Sequence, residues 1–154
     1  MNAPDGVNLM ANTSVLGLGV PLTPVTLLFG SQVAFCVAVV CCLAGTAVAW
    51  YALLRRRLVT SRSAAAVGGL ICGFAPGMIA QAGAHPHIAA QFLVPGILAL
   101  VFRPASDATW RDVWRSGVGL GLLLVWQVFI GEEVLVFLAL AAGSSRWATR
   151  SPTG

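Results

Sequence analysis

The sequence has little charge: it contains no lysine, and charged residues make up only 9% of its 154 positions. Soluble domains carry about 25% charged residues, so a chain this poor in charge cannot cover a globule with polar surface. Hydrophobic residues make up 58% of the chain, which makes lipid the expected solvent for most of it. The composition therefore predicts an integral membrane protein.

The charges that are present do not form a basic face. The arginines are scattered between apolar runs, although the net charge is +4. A nucleic-acid-binding protein would collect its basic residues on one surface, so the sequence predicts no nucleic-acid partner and favours membrane lipid. The exclusive use of arginine over lysine, with abundant alanine, glycine, valine and leucine, is typical of a GC-rich bacterial genome.

The chain also lacks a cysteine motif. No CxxC spacing is present, and each of the four cysteines lies inside an apolar run: Cys36, Cys41, Cys42 and Cys72. Free cysteines in apolar surroundings behave as small hydrophobic residues, so we expect these to contact lipid or other helices rather than a metal ion.

What the sequence does have is long apolar runs, and four of them are predicted to cross the bilayer: residues 32–54, 64–82, 88–102 and 116–130. The first is the clearest, because it holds more than twenty residues without a charge and the hydrocarbon core is about 30 Å thick. Glycines recur in the second run, mostly four residues apart, and should let another helix approach closely: Gly68, Gly69, Gly73 and Gly77. Pro76 should kink this run.

The remaining segments flank this predicted bundle. Residues 1–14 form a polar extracytoplasmic segment, and residues 15–30 an interfacial or re-entrant segment, because Pro21 and Pro24 interrupt it. Residues 103–115 predict an interfacial helix, residues 134–145 a short or re-entrant fifth crossing, and residues 143–154 a polar tail. The predicted fold is an all-α, polytopic transmembrane helix bundle over residues 32–142, with four spans and one short or re-entrant segment.

The arginines give this bundle an orientation. With these crossings, all of them fall on one side of the membrane: Arg55, Arg56, Arg57, Arg62, Arg103, Arg111, Arg115, Arg146 and Arg150. Loops rich in arginine stay in the cytoplasm, so the sequence predicts a multi-pass protein of the cell membrane with cytoplasmic arginine-rich loops.

The same topology places both histidines and the acidic residues that are not in a cytoplasmic loop on the outer face: Asp5, His85, His87, Glu132 and Glu133. A carboxylate at membrane depth costs about 2.5–3.5 kcal/mol, so it is usually paired, at the interface or facing a cavity. We expect one glutamate to face a pocket near the histidines, as a base, metal ligand or sugar-hydroxyl acceptor. The alternative is that the glutamates end a helix at the water boundary and the histidines lie in an exposed loop.

No complete chemical motif accompanies these residues. The sequence has no nucleophile motif, phosphate-binding loop or full metal-ligand set, so no metal site is assigned, and the cofactor stays open with a divalent metal ion as one candidate. Three glutamines lie within or near spans, where hydrogen bonds between helices explain them as well as a substrate does: Gln81, Gln91 and Gln127.

Four short pieces, taken in order, resemble a known family. They are residues 2–14 (NAPDGVNLMANTS), Gly-Phe-Ala-Pro at 73–76, His-Pro-His at 85–87 and Gln-Val-Phe-Ile-Gly-Glu-Glu at 127–133. Together they look like the N-terminal third of large actinobacterial multi-pass membrane proteins of the GT-C glycosyltransferase type. The resemblance extends from about Asn2 to Ala142.

The resemblance implies transfer of a sugar from a polyprenyl-phosphate carrier to an acceptor on the outer face. The family's catalytic acid usually lies in the first outer loop, and Met1 corresponds to a position inside that loop. The resemblance thus implies a truncated piece with little activity on its own. It implies Glu132 and Glu133 as candidate catalytic residues, and His85, His87 and Asp5 as substrate-binding residues, without equating Asp5 with the catalytic acid.

The sequence therefore leaves two main hypotheses for the function, and a third that ranks below them. The first is a fragment of a lipid-linked sugar transferase, which binds a polyprenyl-phosphate-linked sugar. The alternative is a non-catalytic small membrane subunit, whose glycine-rich faces pack against membrane protein partners. A transporter is the third, because helices broken by proline and intramembrane polar groups are common in transporters, but the sequence shows no internal repeat.

Overall fold

The computed structural model describes residues 15–103 and 109–148, with side chains described up to residue 140. The described residues form helices and no strand, which confirms the all-α class for this part of the chain. The helices are α1 (Leu16–Phe29), α2 (Ser31–Arg57), α3 (Arg62–Phe74), α4 (Pro76–Ala84), α5 (Pro86–Ala89), α6 (Val94–Val101), α7 (Trp110–Ile130) and α8 (Glu133–Ala148). Residues 1–14, the predicted extracytoplasmic segment that contains Asp5, lie outside the described residues.

Three helical stretches are long and apolar enough to cross a membrane: Ser31–Arg57, Arg62–Ala84 and Trp110–Ile130. Their 27, 23 and 21 residues rise about 30 to 40 Å, enough for the hydrocarbon core. They contain the predicted spans at 32–54, 64–82 and 116–130. The helical stretches are therefore compatible with an integral membrane protein.

The predicted span at residues 88–102 is not a single helix. Only the four-residue α5 and the eight-residue α6 form there, separated by residues 90–93. Pro95 lies in the first turn of α6 and disfavours helical conformation before it. Alone, α6 rises about 12 Å, less than half of the hydrocarbon core. The structure thus contains three candidate spans among its described residues where the sequence predicted four.

Helix α1 continues through both of its prolines. Pro21 has no N–H to donate to the carbonyl of Gly17, four residues earlier. The indole Nε1 of Trp126, in α7, donates to that carbonyl oxygen at 3.1 Å. A side chain from another helix thereby replaces the hydrogen bond that the proline removes, which the local sequence of α1 does not reveal.

The break predicted at Pro76 separates α3 from α4 at Ala75. The glycine face predicted on this run is partly confirmed: a Cβ atom at Gly69 would lie 2.6 Å from the carbonyl oxygen of Ala47, and one at Gly73 would lie 2.6 Å from the Cβ of Ala47. Helix α3 therefore packs backbone to backbone against α2. Gly77 has open space around it and takes no part in this packing.

Helix α7 begins at Trp110, so the predicted interfacial helix at 103–115 and the span after it are continuous from that residue onward. Thr109 caps its start: the Thr109 Oγ1 accepts from the Asp112 N–H at 3.3 Å, and an Asp112 carboxylate oxygen accepts from the Thr109 N–H at 3.3 Å. This reciprocal capping box explains why the helix starts before the apolar run. At the far end, α8 continues to Ala148, past the start of the predicted polar tail at residue 143.

Helices α6 and α7 run antiparallel. This arrangement determines at which end of the bundle the charged residues lie. A Cβ at Gly96 would lie 3.3 Å from Leu123, a Cβ at Gly119 would lie 3.6 Å from Leu100, and the Arg103 Nη1 donates to the Ser116 Oγ at 2.7 Å. Helix α6 runs parallel to α2, since Phe92 contacts Gly45 and Ala99 shares a hollow with Arg56. One end of the bundle, here called the arginine end, therefore collects the described arginine side chains: Arg55, Arg56, Arg57, Arg62, Arg103, Arg111 and Arg115.

Candidate functional site

The opposite end of the bundle, here called the histidine end, is where α4, α5, α7 and α8 meet. Its single-turn helix α5 is held by a buried hydrogen bond, in which the Thr46 Oγ1 of α2 donates to the Ala89 carbonyl oxygen at 3.2 Å. Thr46 and Ala89 are both fully buried. This contact fixes the turn that contains His87, whose side chain is itself buried.

The junction between α7 and α8 packs directly on His87. Gly131 ends α7, and its N–H donates to the Gln127 carbonyl oxygen at 2.8 Å. A Cβ atom at Gly131 would lie 3.1 Å from the Cβ of His87 and 3.3 Å from its Cδ2. A glycine at this position therefore lets the imidazole ring lie against the backbone of the junction.

The side chains of His87 and Glu133 lie next to each other at this end. The His87 Nε2 lies 3.4 Å from the Glu133 Oε2. The imidazole is 9% exposed, whereas the Glu133 side chain is 49% exposed, so the carboxylate connects a buried ring to the surface. Glu133 also lies in the first turn of α8, where the partial positive charge of a helix N-terminus favours a carboxylate.

His85 extends this pair into a small polar cluster. The His85 and His87 rings lie edge to face, with centroids 5.7 Å apart and an interplanar angle of 82°. Imidazole nitrogens and a carboxylate can exchange protons and hydrogen-bond hydroxyl groups. Of the two charged or titratable groups in the His87–Glu133 contact, the Glu133 carboxylate is the more exposed acceptor.

The structure brings together three of the residues that the sequence singled out, namely His85, His87 and Glu133. Glu132 is exposed, and its carbonyl oxygen accepts from the Leu135 and Val136 N–H groups at 3.0 and 3.1 Å, so its backbone begins α8. Its side chain makes no hydrogen bond or ion pair within the described ranges. Asp5 lies outside the described residues.

Gln127 is a further polar residue of this end. It is fully buried, its Nε2 donates to the Gly131 carbonyl oxygen at 3.5 Å, and its Oε1 has no hydrogen-bond partner among the described residues. The sequence suggested a bond between helices, but this bond stays within the α7–α8 junction. A buried acceptor without a partner is uncommon and marks a polar position of the histidine end.

The described residues of this cluster do not form a complete metal-ligand set. Within residues 15–103 and 109–148, no three His, Cys, Asp or Glu residues are grouped so that they could hold a metal ion. Protein zinc sites use at least three such ligands, and the pair of His87 and Glu133 supplies two.

The two ends of the bundle differ in charge. The described glutamates and histidines lie at one end, and the described arginines lie at the other. Asp112, at the start of α7, also lies at the arginine end, where it takes part in the capping box with Thr109. Apolar contacts between α6 and α7 separate them. No protein-family model matches the chain, and comparisons with curated proteins and with solved structures likewise give no match.

Proposed function

We propose that this chain is an integral membrane protein related to lipid-linked sugar transferases, and that its histidine end binds the sugar of a polyprenyl-phosphate-linked donor at the outer face. One observation carries the proposal: two pieces that resemble the GT-C family, residues 85–87 and 127–133, contact each other. His87 lies against Gly131 and pairs with Glu133. The two pieces are about forty residues apart in the sequence.

The orientation follows from the arginines. Arginine-rich ends of membrane helices stay in the cytoplasm, which assigns the opposite, histidine end to the outer face. Polyprenyl-phosphate carriers present their sugar at that face in the family that the chain resembles. Glu133 would accept hydrogen bonds from sugar hydroxyls, because half of its side chain is exposed while its other contact is the buried His87.

The experiment is photo-crosslinking in lipid nanodiscs. The full chain is incubated with a polyprenyl-phospho-hexose that has a photoreactive group on the sugar, and the crosslinked peptides are identified by mass spectrometry. We expect crosslinks to residues 85–87 and 131–133, and a severalfold loss of crosslinking in Glu133→Gln. Glu132→Gln is the matched control, since Glu132 is also exposed but does not contact His87.

Two results would contradict the proposal. Equal crosslinking in wild type and Glu133→Gln would separate Glu133 from sugar binding. Crosslinks spread along the helices without a preference for the histidine end would show that only the polyprenyl chain associates with the protein.

The second candidate is a non-catalytic membrane subunit, and the exposed apolar faces of the helices favour it. Helix α1 has no buried residue, and only 11% of the most apolar 18-residue stretch of α7 is buried. Such faces suit partner helices as well as lipid. If the chain captures no sugar but co-purifies from its native membrane in a fixed ratio with one other membrane protein, this candidate replaces the first.

A further inference from the structure

We infer that the arginine end contains a binding site for one anionic phospholipid, between α2 and α6. The site consists of two adjoining hollows that share Arg56 and Arg57. One is a groove of about 310 Å³, and the other, of about 280 Å³, lies at the end of α2. This inference is independent of the proposed sugar-binding function.

The groove has an apolar part and a basic part. Phe92, Pro95 and Ala99 of the α5–α6 region form one wall, and Ala52 with the two arginines forms the other. It lies where Pro95, Gly96 and Ala99 of α6 face α2 without filling the space between the two helices. An acyl chain fits such a groove, since apolar walls at membrane depth are otherwise covered only by lipid.

The second hollow continues past the end of α2. It is lined by the run Arg55–Arg56–Arg57 and by residues 58–60, where the helix has ended. Arg62 begins α3 just beyond. No acidic side chain lines either hollow in the described part of the chain. Among the described residues that line the two hollows, the arginines are therefore the only charged side chains.

Charge complementarity identifies the occupant. Guanidinium groups bind phosphate oxygens through paired hydrogen bonds, and basic pockets between membrane helices bind anionic headgroups. A water-soluble phosphate compound would leave the groove uncovered, and a zwitterionic lipid would not compensate the arginines. An anionic phospholipid can occupy both hollows at once: its phosphate binds Arg56 and Arg57, and its acyl chain lies in the groove toward Phe92.

Native mass spectrometry tests this site. The full chain in detergent is mixed with equal amounts of phosphatidylglycerol and phosphatidylcholine, and the retained lipid is identified. We expect one phosphatidylglycerol to be retained in preference. Replacing two arginines near a headgroup weakens binding by about thirtyfold, so Arg56→Gln with Arg57→Gln should abolish the preference.

Three further variants locate the effect. Arg111→Gln with Arg115→Gln removes the same charge from the arginine end without touching either hollow and should leave retention unchanged. Arg56→Lys with Arg57→Lys keeps the charge and should preserve most of the binding, which also controls for folding. Ala52→Phe fills the apolar wall and should weaken retention without a change in charge.

Each opposite result overturns the inference. An equal loss of lipid retention in the Arg56/Arg57 and the Arg111/Arg115 glutamine variants would show that only the net charge matters. Equal retention of the two lipids by wild type would remove the headgroup preference. Displacement of the lipid by glycerol 3-phosphate, or unchanged retention in Ala52→Phe, would show that the groove does not hold an acyl chain.

Discussion

The indole N–H of Trp126 donates to the carbonyl oxygen of Gly17, which is the carbonyl that Pro21 leaves without a helical partner. The two residues are 109 positions apart, and the bond joins α1 to α7. A carbonyl without a partner in lipid costs several kcal/mol, so a helix with internal prolines needs such a donor. The bond explains how α1 continues through Pro21 and why it packs against α7.

Trp126→Phe should therefore destabilise the fold by about 2 kcal/mol, because it leaves the Gly17 carbonyl unsatisfied. Unfolding in mixed detergent micelles measures the change. Trp114→Phe is the matched control, since Trp114 is 61% exposed and should change stability little. In a Pro21→Ala background, position 21 regains its N–H, so Trp126→Phe should cost much less there. An equal cost in both backgrounds would contradict this account.

The packing of α3 on α2 gives a second prediction. A Cβ at Gly69 or Gly73 would lie within 2.6 Å of Ala47, and backbone atoms are among the groups it would meet. Gly69→Ala and Gly73→Ala should each cost about 1–3 kcal/mol, as overpacking does. Gly77→Ala should be neutral or stabilising by up to about 1 kcal/mol, because the site is open and alanine favours helix. The same unfolding assay compares the three, and equal effects at Gly73 and Gly77 would refute close packing.

The features that the sequence predicted correctly depend on local patterns. The glycine spacing in the second apolar run indicated a close helix contact, and Gly69 and Gly73 form one. The proline at position 76 indicated a helix break, and the break lies at Ala75. Three of the four predicted spans likewise lie in helical stretches that are long enough to cross a membrane. In each case the signal is a residue pattern within one continuous stretch of the chain.

The features that the sequence missed depend on distant contacts. Pro21 and Pro24 suggested a disrupted segment, but Trp126 compensates for the first of them from another helix. The apolar run at 88–102 was predicted to be a short fourth span, but residues 90–93 are not helical and Thr46 holds α5 in place. At the histidine end, the sequence supplied the residue types, but neighbouring Glu132 and Glu133 could be distinguished only by geometry.

Gln127 provides a third prediction. Its Oε1 is buried without a partner in the described part of the chain, and its Nε2 makes one long hydrogen bond. Replacing it with a similar apolar side chain, as in Gln127→Leu, should leave stability unchanged or raise it by about 1 kcal/mol. Gln127→Ala should instead cost about 2 kcal/mol or more, because it creates a cavity. Thermal unfolding in detergent measures both, and an equal loss in the two variants would contradict an unpaired acceptor.

The separation of charge between the two ends gives the fourth prediction, which concerns orientation. In a background without the four native cysteines, single cysteines are placed by Pro86→Cys and Glu132→Cys at the histidine end, and by Arg111→Cys at the arginine end. Arg111 and Glu132 are exposed, and Pro86 is half-buried. Because arginine-rich ends stay in the cytoplasm, a membrane-impermeant thiol reagent added to intact cells should label positions 86 and 132 but not position 111.

Permeabilised cells provide the control for this labelling. All three positions should react once the reagent reaches both sides, which shows that a lack of labelling at position 111 reflects its location and not burial. Labelling of position 111 alone in intact cells would invert the orientation and remove the histidine end from the outer face. Labelling of position 86 without position 132 would contradict the structure itself, because His87 and Glu133 lie 3.4 Å apart and their neighbours belong on the same side.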